Sequence, residues 1–364
     1  MRKKIHVAVV FNEPTVQTSL GRKFISEMGK IEAAATRAQV ISETLPSAID
    51  LSEVGVLEER EHVQEALQKN GYKTSLFNMN SDIKRLIQYI EEKEPDLIFN
   101  LCESVGDKST HEMFVAGLYE LLGVPYTGAS AFTLGMCQNK VRTKQILSFY
   151  KIRVPRFALY KNANEVNEEE FDLRFPAIVK PSLEDASVGI DNESIVDNIG
   201  ALRKRVRFIF QNFDQPALVD EYIEGRELNV AMIGNRRPII LPISEIDFSG
   251  LPDDYPHIVT YNAKWLEGTD EYKGTVGVCP AQIPVEVERQ AKEIALKAYR
   301  IMGCRDYARV DMRLDKNNNL YVIEVNPNPD ISDDAGFARS ARVYGLAFDE
   351  VVNKIVEYAL ERTP

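Results

Sequence analysis

Ile5–Phe11 (IHVAVVF) is an unbroken apolar run rich in branched side chains, which predicts a strand buried on both faces of a parallel sheet. Past it the period changes. Glu53–Asn70 has the spacing of an amphipathic helix ending at Gly71, Tyr72–Phe77 reads as a strand, Ser81–Glu94 as a helix opened by Ser81, and Asp96–Leu101 as a further strand. His111–Leu122 is a helix stopped by Gly123, and Val124–Gly128 gives a short strand and turn. Alternation of this kind makes βαβ units, so roughly the first 130 residues predict a doubly wound α/β domain. Residues 14–50 break the alternation and read as an insertion, with a helix expected around Ile31–Glu43.

The remainder is patterned differently. Ser130–Tyr150 reads as one helix carrying Asn139, Lys140 and Lys144. In Phe175–Ile190 (FPAIVKPSLEDASVGI) the strand Ala177–Lys180 ends in a lysine and runs into a loop of small residues closing on Ser187-Val188-Gly189, where loop amides and a lysine can approach phosphates. Arg203–Arg207 is a short basic helix expected to face solvent. Ala217–Gly234 gives two apolar strands around Glu221-Tyr222-Ile223, with Gly225 at the turn; backbone groups there can meet a base edge, and a later carboxylate can meet ribose. Tyr261–Trp265 (YNAKW) sets Lys264 in a polar loop, and Val285–Met302 is an amphipathic helix ended by Gly303.

Tyr307–Asp330 (YARVDMRLDKNNNLYVIEVNPNPD) alternates through Leu314, turns at Asp315–Asn319 and resumes as Leu320–Val325, a hairpin. Alternation places Arg309, Asp311 and Arg313 on one face of its first strand and Glu324 with Asn326 on one face of its second, so pairing can bring Asp311, Glu324 and Asn326 together. Three oxygen donors at one sheet end suit magnesium, which keeps waters and completes its shell with phosphates. By itself the pattern also fits a solvated hairpin. Asp333–Gly345 and Phe348–Leu360 close the chain as helices.

Composition narrows the partners. With 364 residues, 44% of them hydrophobic, the chain can build two or three cores, and its net charge of -11 argues against nucleic acid or an anionic membrane as partner. Phosphates must then be held by a few local cations. No apolar run reaches the length of a membrane span and no signal-peptide core follows Met1, so a cytoplasmic protein is expected. Cys102, Cys137, Cys279 and Cys304 form no CxxC pair and read as reduced thiols; His6, His62, His111 and His257 lack metal-ligand spacing.

Taken in order, Asn139-Lys140, Phe175–Pro181, Asp185–Gly189, Asp220–Asn229, Tyr261–Trp265, Ala308–Asp311 and Val322–Pro329 resemble the ATP-grasp superfamily, and within it the D-alanine–D-alanine ligase branch. The likeness covers roughly residues 95 to 364, and several motifs in sequence are far more specific than any one alone. It implies an α/β and α+β chain: a substrate-side domain at 1–138, a central lobe and lid at 139–225 and a C-terminal lobe at 226–364. ATP is the implied cofactor, with two Mg2+ ions that Mn2+ can replace. By resemblance Lys140, Lys180 and Ser187 meet the phosphates, Glu221, Tyr222 and Ile223 meet adenine through the backbone, Asp220 accepts its amino group, and Glu227 binds ribose. Lys264 approaches the γ-phosphate, Asp311, Glu324 and Asn326 hold the metals, and Arg309 steadies the acyl phosphate and the oxyanion. The implied reaction is ADP-forming joining of a carboxylate to an amine of amino acids or small peptides, in a homodimer.

Four positions depart from that branch, all on the amino-acid side. Ala186 stands at a serine position, Trp265 at a tyrosine position, Asp330 at a glycine position, and Ala335 at the position of the serine that holds the second substrate's carboxylate. The N-terminal glutamate of the branch corresponds to Glu53, with Glu13 as second choice. Asp330 would repel a carboxylate or attract an ammonium, and Arg339 with Arg342, one helical turn apart, offer another carboxylate clamp or are merely solvated charges. An altered acceptor is therefore expected, against the alternatives of strict D-alanyl-D-alanine synthesis and a nucleotide-binding regulator without turnover.

Overall fold

The computed structural model describes residues 4–13, 15–18, 21–24, 55–106, 108–332 and 335–362. The helix expected around Ile31–Glu43 and the candidate Glu53 lie outside them.

Strand β1 (His6–Phe11) is the inner strand the apolar run predicts: every residue is buried. Thr15–Thr18 and Gly21–Phe24 (β2, β3) pair as an antiparallel hairpin within the expected insertion. Then follow α1 (Val56–Lys69), β4 (Lys73–Asn78), α2 (Ile83–Lys93), β5 (Leu97–Leu101) and α3 (Glu112–Leu122). The sheet order is β4-β1-β5, all parallel, and Tyr126 adds a parallel bridge to Ile98. Alternate residues of β1 enter different cores: Val7 and Val9 pack with Val63 and Leu67 of α1, Ala8 and Val10 with Leu86 of α2 and Val115 of α3. Both faces are thus covered, as a doubly wound layer requires. Helix α2 is opened by Asp82, not by Ser81. The Asp82 carboxylate accepts from the Lys84 and Arg85 amides, while Ser81 sits at positive φ and donates to Asn12.

The single helix expected over Ser130–Tyr150 is two, α4 (Ala131–Gln138) and α5 (Lys140–Phe149). Asn139 leaves helical geometry and caps α5, its Oδ1 accepting from Arg142 N at 3.0 Å. That break puts Lys140 at the first position of α5 and aims it at the cleft. Leu147 and Ile152 pack into the core of the C-terminal sheet, so the segment expected to open the central lobe at 139 belongs, by packing, to the other lobe.

Strands β6 (Phe157–Tyr160), β7 (Ala177–Pro181) and β8 (Ile195–Val196), helix α6 (Ile199–Phe213) and strand β9 (Ala217–Glu221) form the central lobe, with sheet order β6-β9-β7-β8. The basic run expected to face solvent lies within α6. Its middle member, Arg205, is buried and donates to Asp191, Gly189 O and Ser194.

The next strand, β10 (Gly225–Ile233), belongs to a different sheet. That sheet also holds β11 (Ile239–Ile240), β12 (Ser244–Asp247), β13 (Val276–Val278), β14 (Tyr307–Asp315) and β15 (Leu320–Asn326), in the order β13-β12-β10-β14-β15 with β11 beside β10. Gly225 starts β10 at positive φ, and a side-chain carbon there would strike the Leu314 carbonyl, so only glycine fits this crossing. Between β12 and β13 lie the one-turn helices α7 (Tyr261–Trp265) and α8 (Asp270–Gly274); Lys264 is on α7, not in an open loop. Helices α9 (Val285–Met302), α10 (Gly336–Tyr344) and α11 (Phe348–Glu361) complete the C-terminal lobe. No helix among the described residues is long and apolar enough to cross a membrane.

Candidate active site

The site lies on one face of the C-terminal sheet. On β10, Leu228, Val230 and Met232 enter the core under α9, which leaves Glu227 and Asn229 on the opposite face. Register then sets Glu227 against Arg313, Asn229 against Asp311 and Ala231 against Arg309. Strand β15 adds a correction to simple alternation. Strict period two would send Glu324 and Asn326 the same way as Leu320 and Val322, into the core. A bulge between Asp311 and Met312 of the pairing absorbs one extra residue, so Leu320, Val322 and Val325 all stay in the core while Glu324 lies opposite Asp311 and Asn326 opposite Arg309.

Asp311 is the hub. Arg309 donates to it through Nε and Nη2, both at 2.8 Å, Asn229 Nδ2 donates at 2.7 Å and Asn326 Nδ2 at 2.8 Å. Glu324 accepts from Lys140 Nζ at 2.8 Å. Burial alone would raise the Glu324 carboxyl, but the Lys140 ammonium outweighs it and holds the group ionised well below the ordinary glutamate value. Among the described residues no three His, Cys, Asp or Glu side chains converge, so a cation here would use two carboxylates, an amide oxygen and non-protein oxygens. Hard oxygen donors few in number fit Mg2+. Lys264 lies near Arg309, Asp311, Glu324 and Asp330; lost hydration, then the Arg309 guanidinium, push its ammonium down, against the pull of Glu324, Asp311 and Asp330.

The expected nucleotide residues gather where the two sheets meet. Lys180 Nζ lies 2.8 Å from Asp220 and Lys144 Nζ 3.2 Å from it, and Asp220 is fully buried between them. The carboxylate expected to accept the adenine amino group is therefore neutralised by two lysines, and burial pushes Lys144 down to about 8. At the crossing, Glu221 N–H donates to Arg156 O, Tyr222 N–H to Pro176 O, and Ile223 O accepts from Arg313. The Ile223 N–H has no such backbone partner among the described residues. The Glu221 carboxylate turns to Arg174, and Glu227 to Arg313 Nη1 at 3.3 Å.

Ser187 Oγ donates to Val259 O at 2.8 Å. Two of the departures meet: Trp265 Nε1 donates to Ala186 O at 3.0 Å, tying α7 to the loop after β7 without either hydroxyl. Ala335 is the N-cap of α10 and contributes no side-chain bond. Asp330 accepts from Ser332 N and Oγ. Of the two arginines of α10, Arg339 donates to Ser244 Oγ at 3.0 Å and lies over Gly277, and Arg342 is exposed beside Ile331 and Phe348.

Sequence reading missed four contributors. Asn229 was legible, since alternation pairs it with Glu227. Lys144, Asp185 and Asn328 were not, because only tertiary packing brings them in. Asn328 staples the loop after β15 to the N-terminal domain, accepting from Ala129 N at 2.9 Å and donating to Glu112 at 3.0 Å, directly against Gly128, where a side chain would not fit. Glu59 of α1 is a fifth group, close to Asp330. It is buried, and desolvation, then Asp330 and Glu103, raise its carboxyl well above the usual value against the Ile331 amide. A raised folded-state pKa means stability falls as pH climbs from the ordinary carboxylate value to the raised one. Glu59→Gln should therefore raise stability at pH 7 and flatten that decline; urea melts at pH 5 and 7 showing no gain would contradict it.

Two facing sheets that enclose lysines, a free backbone amide and a carboxylate–amide–arginine cluster define the ATP-grasp class of enzyme. The family described as D-ala D-ala ligase C-terminus matches residues 146–357. A Sinorhizobium fredii protein named uncharacterized protein y4sG is 32% identical over 82% of this chain and 86% of its own length. The D-alanine–D-alanine ligase of Desulforudis audaxviator is 30% identical over 82% of this chain and 91% of its own. In fold, the Bacillus anthracis D-alanine–D-alanine ligase crystallised with ATP superposes with a TM-score of 0.71 at 22% identity, covering 98% of each chain. The VanG D-Ala:D-Ser ligase of Enterococcus faecalis gives 0.70 at 20%, covering 98% of this chain and 100% of its own. The chain belongs to the D-alanine–D-alanine ligase family and is an ATP-dependent ligase.

Proposed function

We propose that the protein joins two amino acids, or an amino acid and a small peptide, with an amine-bearing acceptor that differs from D-alanine. A donor carboxylate takes the γ-phosphoryl group of ATP and ADP leaves; the acceptor amine attacks the resulting acyl phosphate, phosphate departs, and the amine nitrogen loses its proton. Catalysis of such transfers is positioning plus charge stabilisation. Lys140, Lys180 and the Ser187 loop would hold the phosphates, Lys264 would neutralise the moving phosphoryl group, and Arg309, oriented by Asp311, would meet the oxyanion. Asp220, Glu221, Tyr222, Ile223 and Glu227 would frame the nucleoside. Asp311, Glu324 and Asn326 would hold Mg2+, which supplies positive charge to the phosphoryl oxygens when bound. Glu53 remains the N-terminal candidate on the donor side. We take 1–138 as the substrate-side domain, 139–225 as the central lobe, with 139–154 packed on its neighbour, and 226–364 as the catalytic lobe, in a homodimer.

The observation that carries this reading is the Asp311 hub, which joins a bidentate arginine to two asparagines beside Glu324; a nucleotide-binding regulator has no use for it. Two features favour a changed acceptor over strict D-alanyl-D-alanine synthesis: the Asp330 carboxylate beside buried Glu59, and Ala335 in place of a hydroxyl. Arg339 is one cation near that side. ADP release measured across D- and L-amino acids should show turnover with acceptors other than D-alanine. Efficient turnover with D-alanine alone would overturn the acceptor assignment, and ATP binding without ADP for every pair would overturn the enzyme.

A further inference from the structure

Asp185 has no place in the reaction above, yet it holds the loop that covers the phosphates. The loop, residues 182–190, leaves β7 and contains two successive side-chain-bearing residues in the left-handed region, Ala186 at φ 53° and Ser187 at φ 63°. Such backbone persists only where its surroundings over-determine it. On one flank the ties run to the C-terminal lobe: Trp265 to Ala186 O, Ser187 to Val259 O, and Tyr261 N to Ile190 O at 2.9 Å. Arg205 holds the loop's end through Gly189 O at 2.8 Å.

On the other flank the tie is ionic. Lys140 Nζ donates to Asp185 Oδ1 at 2.6 Å and to Glu324 Oε1 at 2.8 Å, and the Lys140 backbone N–H reaches Ser182 O at 3.3 Å. The Lys140 side chain is 8% exposed, so its ammonium is sheltered between a loop of one lobe and a strand of the other. An ammonium has three donors. Two are used, and their directions fix where the third points.

The geometry points to Asp185 as a positioning residue: through Lys140 it latches the phosphate loop to β15 and orients the remaining Lys140 N–H toward the phosphates. The inference rests on the ligase reading only for what that third N–H meets; the latch itself is made of contacts within the chain. Hydrogen exchange of the 182–190 segment in the full-length protein separates the two. Asp185→Asn, which keeps shape and removes charge, should speed exchange there on the order of tenfold, as expected for one charge-assisted hydrogen bond, and D185E should recover part of the protection. In turnover, D185N should form more ADP per amide bond than the unmodified protein, because a loosened lid admits water to the acyl phosphate. Unchanged exchange in D185N, with an unchanged ADP-to-amide ratio, would reduce Asp185 to a surface ion-pair partner and overturn the proposal. If D185N folds poorly, D185S in the same exchange experiment decides. Should the unmodified protein form no amide with any pair, the ligase reading fails while the exchange comparison still judges the latch.

Discussion

Replacing Arg309 by alanine should lower kcat about a hundred- to a thousandfold while leaving the KM for ATP within a few-fold of its original value, the effect of deleting one preorganised oxyanion donor. The nucleotide is assigned to Lys140, Lys180 and the segment 220–227, none of which hydrogen-bonds to Arg309. The guanidinium is held by Asp311 through two parallel bonds of 2.8 Å, so its plane is fixed before substrate arrives. Among the described residues Nη1 makes no hydrogen bond, and it is the donor available to a developing negative charge. Arg309→Lys keeps the charge and loses the fork, and should recover only part of the rate. Steady-state kinetics of the two variants check this; an R309A protein with near-original kcat would remove Arg309 from the chemistry.

Phe337→Ala should destabilise the protein by about 3–5 kcal/mol, the range for emptying a buried aromatic site. Phe337 is fully buried in α10 and meets Tyr307 of β14 edge-on, with ring centroids 5.9 Å apart. Its cluster spans two domains: Val7, Val9 and Phe99 of the N-terminal sheet share it with Ala231 and Ile233 of β10 and with Val352 and Ile355 of α11. Close packing of that core leaves a cavity there little room to collapse. Because one core serves both, the N-terminal domain and the C-terminal lobe should lose structure together in urea, and Phe337→Leu should cost much less. A loss below about 1 kcal/mol, or separate transitions for the two domains in the unmodified protein, would contradict the shared core.

The role of Arg309 was legible through the motif resemblance, whereas its fixed two-bond geometry and the shared core around Phe337 were not, and the reasons are specific. The hairpin 307–326 was legible because alternation and an Asp-Lys-Asn turn are local signals, and the order of short motifs carried the ATP-grasp resemblance. The helix from Ser130 to Tyr150 was misread because Asn139 is acceptable inside a helix by propensity; it caps α5 only because the chain must turn there to pack Leu147 on the neighbouring core. Arg205 looked solvated within a basic run, and Lys264 looked like a residue of a polar loop. Each was decided by what another segment, distant in sequence, placed beside it.

By itself the sequence determined the βαβ layer, the paired strands at the carboxy-terminal side and the residue types able to carry phosphoryl chemistry, since hydrophobic period and turn chemistry act over a few residues. Only the tertiary structure decided which of those side chains meet. The bulge that turns Glu324 and Asn326 onto the face of Asp311, the two lysines closing on Asp220 and the Asp185–Lys140–Glu324 bridge all depend on register and on contacts between lobes. Those are fixed by the packing of whole sheets, which no local pattern encodes.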